Sequence, residues 1–249
     1  MQAQTSYKVL LIGDSCVDKY VYGEVKRLNP EAPVPVLNYN RIETKRGMCL
    51  NVESNLLAFG IDVTTVTHSE KIIKTRYIDE KSNQQLLRLD QEVSITPHNS
   101  SLPDQDFDAI VISDYNKGFI TQERLFEIVK VAECPVFIDS KKRDLPLTDC
   151  FIKINETEFN QLERTSDNMI VTLGDRGAIY KECLYATNKV ETRDIVGAGD
   201  TFLAALVYGY LNYGIIEKAI SLANAAAGIA VSHPGTYVLT KKDVKNLCN

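Results

Sequence analysis

The chain has no apolar run near the ~18 residues that a membrane-spanning helix requires. None of its six cysteines stands in a Cys-x-x-Cys arrangement, which excludes a zinc ribbon and a dithiol redox motif. Its three histidines, His68, His98 and His233, are scattered and lack the spacing of the usual zinc hydrolases. Positive charge is not in excess: 28 Lys and Arg against 33 Asp and Glu give a net charge of −5, which argues against nucleic acid as a partner. No internal repeat or low-complexity tract interrupts the 249 residues. The start, Met1 to Lys8, has no basic segment leading into an apolar one, so a secretory signal is not expected. Reduced thiols in a cytoplasmic protein without a membrane partner are the expectation.

What is present is an alternation of apolar runs and helical patterns. Tyr7 to Gly13 reads as a buried strand that delivers Asp14 to its C-terminal end. Phe107 to Ser113 ends at Asp114, Pro135 to Ile138 at Asp139, and Phe151 to Ile154 at Asn155 in the same manner. Met169 to Thr172 and Ala178 to Lys181 continue the β pattern, and Ile61 to Thr67 is a further short strand. Helices are expected over Cys49 to Phe59, with Leu50, Leu56, Leu57 and Phe59 on the apolar side and Gly60 as C-cap. Others are expected over Thr121 to Ala132, from the opening Val196-Gly197-Ala198-Gly199-Asp200 through Leu211, and a last one from about Glu217 to Val231. This alternation argues α/β with a largely parallel sheet, whose strand ends form one ligand-binding rim. Lys19 to Arg27, Val34 to Glu43, Thr75 to Glu80 and Gln84 to Gln91 instead alternate towards solvent, and predict a small β unit off the main sheet.

The sequence most suggestive of chemistry is Asp194-Ile195-Val196-Gly197-Ala198-Gly199-Asp200-Thr201. Glycines just ahead of a helix free backbone N–H groups, and with the helix dipole they suit a phosphoryl anion. A carboxylate beside that anion is electrostatically adverse unless it has a task, such as taking a proton from a hydroxyl.

That segment resembles the C-terminal signature of the ribokinase-like (PfkB) carbohydrate kinases. Gly13 to Tyr20, Asn29 to Val36, Asn83 to Asp90, Ser113 to Gly118 and Ala223 to Gly228 narrow the likeness to the D-glycero-D-manno-heptose-7-phosphate kinases. The resemblance implies a three-layer α/β/α sandwich with a mostly parallel central sheet and a small β-strand lid. It implies a single kinase domain over residues 1–249, with lid strands from about 19–46 and 74–92. It makes Asp200 the catalytic base and Gly197, Ala198 and Gly199 the anion hole. Asp14, Asp18, Gly47, Asn51 and Arg88 become sugar-binding residues, and Thr172, Gly174, Gly177, Asn224 and Gly228 nucleotide-binding ones. Asn155 and Glu158 would hold Mg²⁺ through water, with ATP as co-substrate. Carbonyls near Asp194 and Val196 match the K⁺ site of some members. A homodimer through the lid strands is expected, since exposed strand edges invite a partner.

Several residues also have plainer readings. Asn155 and Glu158 suit a helix start, as N-cap and N3. Arg88 and Asp90 could be an exposed cross-strand pair, Lys117 and Lys141 solvated charges, and Asn224 a buried amide satisfied internally. Met48 stands where relatives carry a second glycine, which keeps another sugar or sugar phosphate open as substrate. His68 to Lys74 and Glu163 to Asn168 replace longer stretches of relatives, so the sheet is expected to lose an edge. A catalytically weak nucleotide- or sugar-binding regulator is the alternative from another class.

Overall fold

The computed structural model describes residues 7–248. The leading segment read above for a secretory signal lies mostly outside them. β1 (Lys8–Gly13) runs through Asp14 into β2 (Ser15–Leu28), which turns at a proline-containing loop into β3 (Pro35–Met48). α1 (Cys49–Ala58) follows without a loop, then β4 (Asp62–Val66). β5 (Ile73–Asp79) and β6 (Gln84–Gln91) form the expected hairpin around residues 80–83. β7 (Ala109–Asp114), α2 (Gln122–Val131), β8 (Val136–Ser140), β9 (Phe151–Asn155), the short α3 (Glu156–Phe159) and β10 (Met169–Thr172) continue the alternation. β11 (Ala178–Tyr180) and β12 (Cys183–Tyr185) close the sheet, and α4 (Ala198–Tyr213), α5 (Ile216–Val231) and α6 (Lys241–Leu247) complete the chain.

Two sheets result among the described residues. The large one has eight strands in the order β12-β11-β10-β9-β8-β7-β1-β4, parallel except where β11 and β12 fold back. β1 and β7 are almost wholly buried, as strands covered on both faces must be. One apolar cluster lies beneath α1, α4 and α5, and a second beneath α2. The small sheet has the order β3-β2-β5-β6. β3, β5 and β6 are each set against their neighbours in unbroken register near the main sheet, with bulges farther out. Pro35 opens the edge strand β3, where a missing N–H costs little.

Three details differ from the sequence reading. Leu57 faces solvent, and α1 instead buries Asn51 and Asn55. Both amides have partners: Asn55 accepts from Leu239 N at 3.0 Å, and Asn51 reaches Asp200. Polar residues can thus occupy the inner face of a helix when the opposite wall offers bonds. α5 is followed by α6, which starts on a capping box formed by Thr240 and Asp243. The sheet extends through β12 rather than stopping at β11. After β4 the chain passes directly into β5 without a helix.

Candidate active site

The turn ahead of α4 is built by its glycines. Gly197 has φ +80°, and a Cβ there would lie 2.7 Å from Asn51 Nδ2. A Cβ at Gly199 would lie 2.8 Å from Lys153 Nζ. Upstream, Asp194 accepts from Val196 N at 3.0 Å and from Gly235 N at 2.9 Å, which ties the turn to the loop before α6. Asp200, 5% exposed, sits in the first turn of α4. Asn51 Nδ2 donates to one of its oxygens at 2.9 Å and the Tyr115 hydroxyl to the other at 2.8 Å. Burial pushes its pKa up to about 6; the Asn51 and Tyr115 bonds oppose the rise, Asp139 adds to it and Lys153 counters it. A carboxyl that titrates there is a base near neutral pH, more basic than an exposed aspartate. Tyr115 is half-buried, and burial beside Asp200 raises its own pKa, so it remains a donor.

Facing this turn, Asp14 is fully buried at the end of β1. One oxygen accepts from Tyr115 N at 2.8 Å and Lys117 N at 3.1 Å; the other has no partner in the structure. A carboxylate oxygen buried without a partner is costly, and burial raises the Asp14 pKa. Asp18 on β2 meets Arg76 Nη2 at 3.3 Å, yet burial outweighs Arg76 and Lys74 and its pKa is raised. Gly47 is required by close approach: a Cβ would lie 2.2 Å from Asp18 Oδ2 and 2.6 Å from Cys16 Sγ. Met48 beside it has φ 56° and ψ −133°, a region favourable only to glycine. Arg88 is exposed and meets Asp90 at 2.8 Å along the same strand, so the pair is not a cross-strand one. The register Tyr20–Arg76–Arg88 puts Arg88 on the same face of the small sheet as Asp18 and Tyr20.

Asn155 ends β9 and caps α3. Its side chain accepts from Glu158 N at 2.8 Å, while Glu158 accepts from Asn155 N at 3.1 Å and also pairs with Lys141. The helix-start reading is therefore real. An amide oxygen and a carboxylate so engaged suit a hydrated Mg²⁺ held through water. No group of three or more His, Cys, Asp or Glu that could hold a metal ion directly occurs among the described residues. Lys117 pairs with Glu92 rather than standing free.

A cavity of 430 Å³ opens between β10, the 186–195 segment and α5, and reaches Ala198 and Gly199 of the turn. Its walls include Thr172, Gly174, Gly177, Asn224 and Gly228, so the structure brings these five together. The size suits a small-molecule site. Gly177 has φ +96°, and a Cβ there would lie 2.1 Å from Tyr185 O. Asn224 donates to Tyr185 O at 2.7 Å, the internal satisfaction that the plainer reading envisaged.

Two groups escaped the sequence reading. Lys153, 4% exposed, pairs with Asp139 at 2.6 Å under the turn. Tyr115 binds Asp200 directly. A lysine flanked by apolar residues in a strand that runs into Asn155 was the available signal for the first.

The arrangement is that of a ribokinase-like fold. The Thermotoga maritima ribokinase superposes with a TM-score of 0.71 at 16% identity, covering 97% of this chain and 99% of that one. Phosphofructokinase-2 from Escherichia coli, solved in complex with potassium, gives 0.72 at 15% identity, covering 97% and 98%. Residues 151–243 match the pfkB family carbohydrate kinase. Among curated relatives, the bifunctional protein HldE of a Nitratiruptor species is 29% identical over 96% of this chain and 64% of its own length. That of Pectobacterium atrosepticum is 30% identical over 96% and 62%. The chain spans just under two thirds of the length of these relatives. The solved structures establish the fold, and the family model matches the C-terminal part of the chain, where the glycine-turn motif lies. No helix among the described residues is long and apolar enough to cross a membrane.

Proposed function

We propose that this chain is an ATP-dependent sugar kinase acting on C1 of D-glycero-D-manno-heptose 7-phosphate in the cytoplasm to give the 1,7-bisphosphate. The observation that carries the kinase reading is the position of Asp200. It lies at the head of a glycine turn, between the cavity bounded by Thr172 and Asn224 and the group Asp14, Asp18 and Asn51. ATP occupies the cavity with its γ-phosphoryl on the N–H groups of residues 197–199. The sugar hydroxyl faces Asp200, which takes its proton as the oxygen forms a bond to phosphorus. The bond from phosphorus to the β–γ bridging oxygen breaks, and ADP leaves with that electron pair. Positioning and charge compensation supply most of the catalysis in such a transfer. Asn155 and Glu158 would hold Mg²⁺ through water, and the ion would offset the charge of the phosphates.

The heptose assignment rests on the likeness of Asn29 to Val36 and Asn83 to Asp90 to the heptose kinases. Met48 favours a second reading, a kinase of the same fold for another sugar, because a side chain and a strained backbone stand where relatives carry glycine. The test is Mg²⁺-dependent ADP release from ATP with the heptose 7-phosphate, ribose, fructose 6-phosphate or no sugar. Release with the heptose phosphate alone supports the assignment, and release with another sugar selects the second reading. Binding of ATP without sugar-stimulated release points to a regulator.

The small sheet serves as the lid of this one kinase domain and as the contact in a homodimer. Its outer face carries the register Leu87–Tyr77–Val21–Ile42, with Leu87, Leu89 and Ile42 exposed. An apolar face of that kind marks an interaction surface. Solution mass is expected at twice the chain's, and Leu87→Lys is expected to halve it.

A further inference from the structure

Resting on the kinase reading, we infer that Lys153, held by Asp139, is a positioning residue that supplies a fixed positive charge behind the phosphoryl turn and discriminates ATP from ADP. β8 and β9 bring the pair together: Ile138 pairs with Ile152, and Asp139 and Lys153 are the next step along both strands. Both lie on the face that packs under α4, with Phe137 and Phe151 one layer below. Lys153 Nζ meets Asp139 Oδ2 at 2.6 Å. On its other side it approaches Gly199 so closely that a Cβ there would lie 2.8 Å away. An ammonium has three donors, and the bond to Asp139 uses one of them.

The carboxylate of Asp139, 2.6 Å away, compensates this ammonium at 4% exposure. A buried ion pair is a poor device for stability, since apolar residues of similar size serve as well. Its position beneath the turn gives it another use. The turn N–H groups and the dipole of α4 already favour an anion at this point. The ammonium end of the Lys153–Asp139 pair lies nearest Gly199, and in a water-poor site it adds to the field met by the added negative charge of a γ-phosphoryl. Gly199 lets the ammonium come this close.

The test compares binding of Mg·ATP and Mg·ADP to the full chain by calorimetry, without sugar, in the parent, Lys153→Met, Asp139→Asn and the double variant. The parent is expected to prefer ATP. Lys153→Met is expected to lose ATP affinity about tenfold or more with ADP little changed. Asp139→Asn removes the carboxylate that holds the ammonium and is expected to weaken the preference. The double variant removes both charges and avoids an unpaired buried carboxylate, so it reports even where Lys153→Met does not fold; it is expected to lose the preference. A parent without preference, equal losses for ATP and ADP, or a double variant that still prefers ATP overturns the proposal. A parent that prefers ATP but whose ADP release no sugar stimulates overturns the kinase reading and leaves the Lys153 assignment standing.

Discussion

At the rim of the large sheet Asp14, Asp114, Asp139, Lys142 and Lys153 are all buried, whereas on β6 of the small sheet Arg88 and Asp90 meet in solvent. Asp114 is bonded to Lys142 and Ser140, and Lys153 to Asp139, so each rim charge has a fixed partner except one oxygen of Asp14. The Arg88–Asp90 pair is screened by water and can rearrange at little cost. Charges held rigidly in a water-poor site act on a reaction with no reorganisation, while exposed ones serve recognition and solubility. On the proposed reading, the buried charges at the rim of the large sheet serve the transfer step and the exposed Arg88–Asp90 pair of β6 serves to admit the acceptor.

This contrast can be broken most severely at Asp200. Asp200→Asn is expected to lower kcat by roughly 10²–10⁴-fold while the protein stays folded. The same change is expected to raise the melting temperature at pH 8. The folded-state pKa of about 6 lies above the ordinary 3.8, so the favourable burial of the neutral acid is complete below 3.8 and is lost as pH rises through 6. The two-unit rise corresponds to an upper limit of about 3 kcal/mol at pH 8. Asparagine offers one acceptor oxygen to two donors, so the gain falls short of that limit. A calorimetric scan at pH 5 and pH 8 checks the sign.

Next in size are the neighbours of the two carboxylates. Tyr115→Phe removes one donor from Asp200 and is expected to slow sugar-stimulated ADP release about tenfold at pH 6. In the parent the rate is expected to rise with pH through about 6, as Asp200 ionises. The variant is expected to move that limb to higher pH, and a pH profile of kcat/KM reads it. Gly47→Ala forces Asp18 or the backbone to move, at a cost typical of overpacking. It is expected to raise the sugar KM about tenfold and leave the ATP KM unchanged. The smallest change is Arg88→Ala. Chemical denaturation is expected to find stability altered by less than about 1 kcal/mol. A raised sugar KM with unaltered stability would give the exposed sheet its recognition role.

The turn from Asp194 to Thr201 was legible because glycine, a first-turn acid and a long apolar helix are all local signals. The strand ends at Asp14, Asp114, Asp139 and Asn155 were legible because each apolar run stops abruptly at a polar residue. Lys153 was not, since a lysine in a strand ordinarily faces water. Only the register of β8 against β9 supplies the Asp139 that lets it stay inside. The inward face of α1 was misjudged for the same reason, because the partners of Asn51 and Asn55 lie 149 and 184 residues away. α6 did carry a local signal, Thr240 followed three residues later by Asp243, but its periodic pattern is too short to stand out.

The junction between the sheets has a mechanical consequence. One residue, Asp14, separates β1 from β2, and none separates β3 from α1. The two crossings are stitched to each other, with Cys49 N donating to Asp14 O at 3.0 Å. At these two crossings the small sheet has no slack on which to swing, unlike at its longer links through residues 67–72 and 92–108. A tilt of its strands is geared straight into the backbone that carries Asp14 and, one turn into α1, Asn51. On the proposed reading, opening the cover and disassembling the acceptor half of the site are one and the same movement.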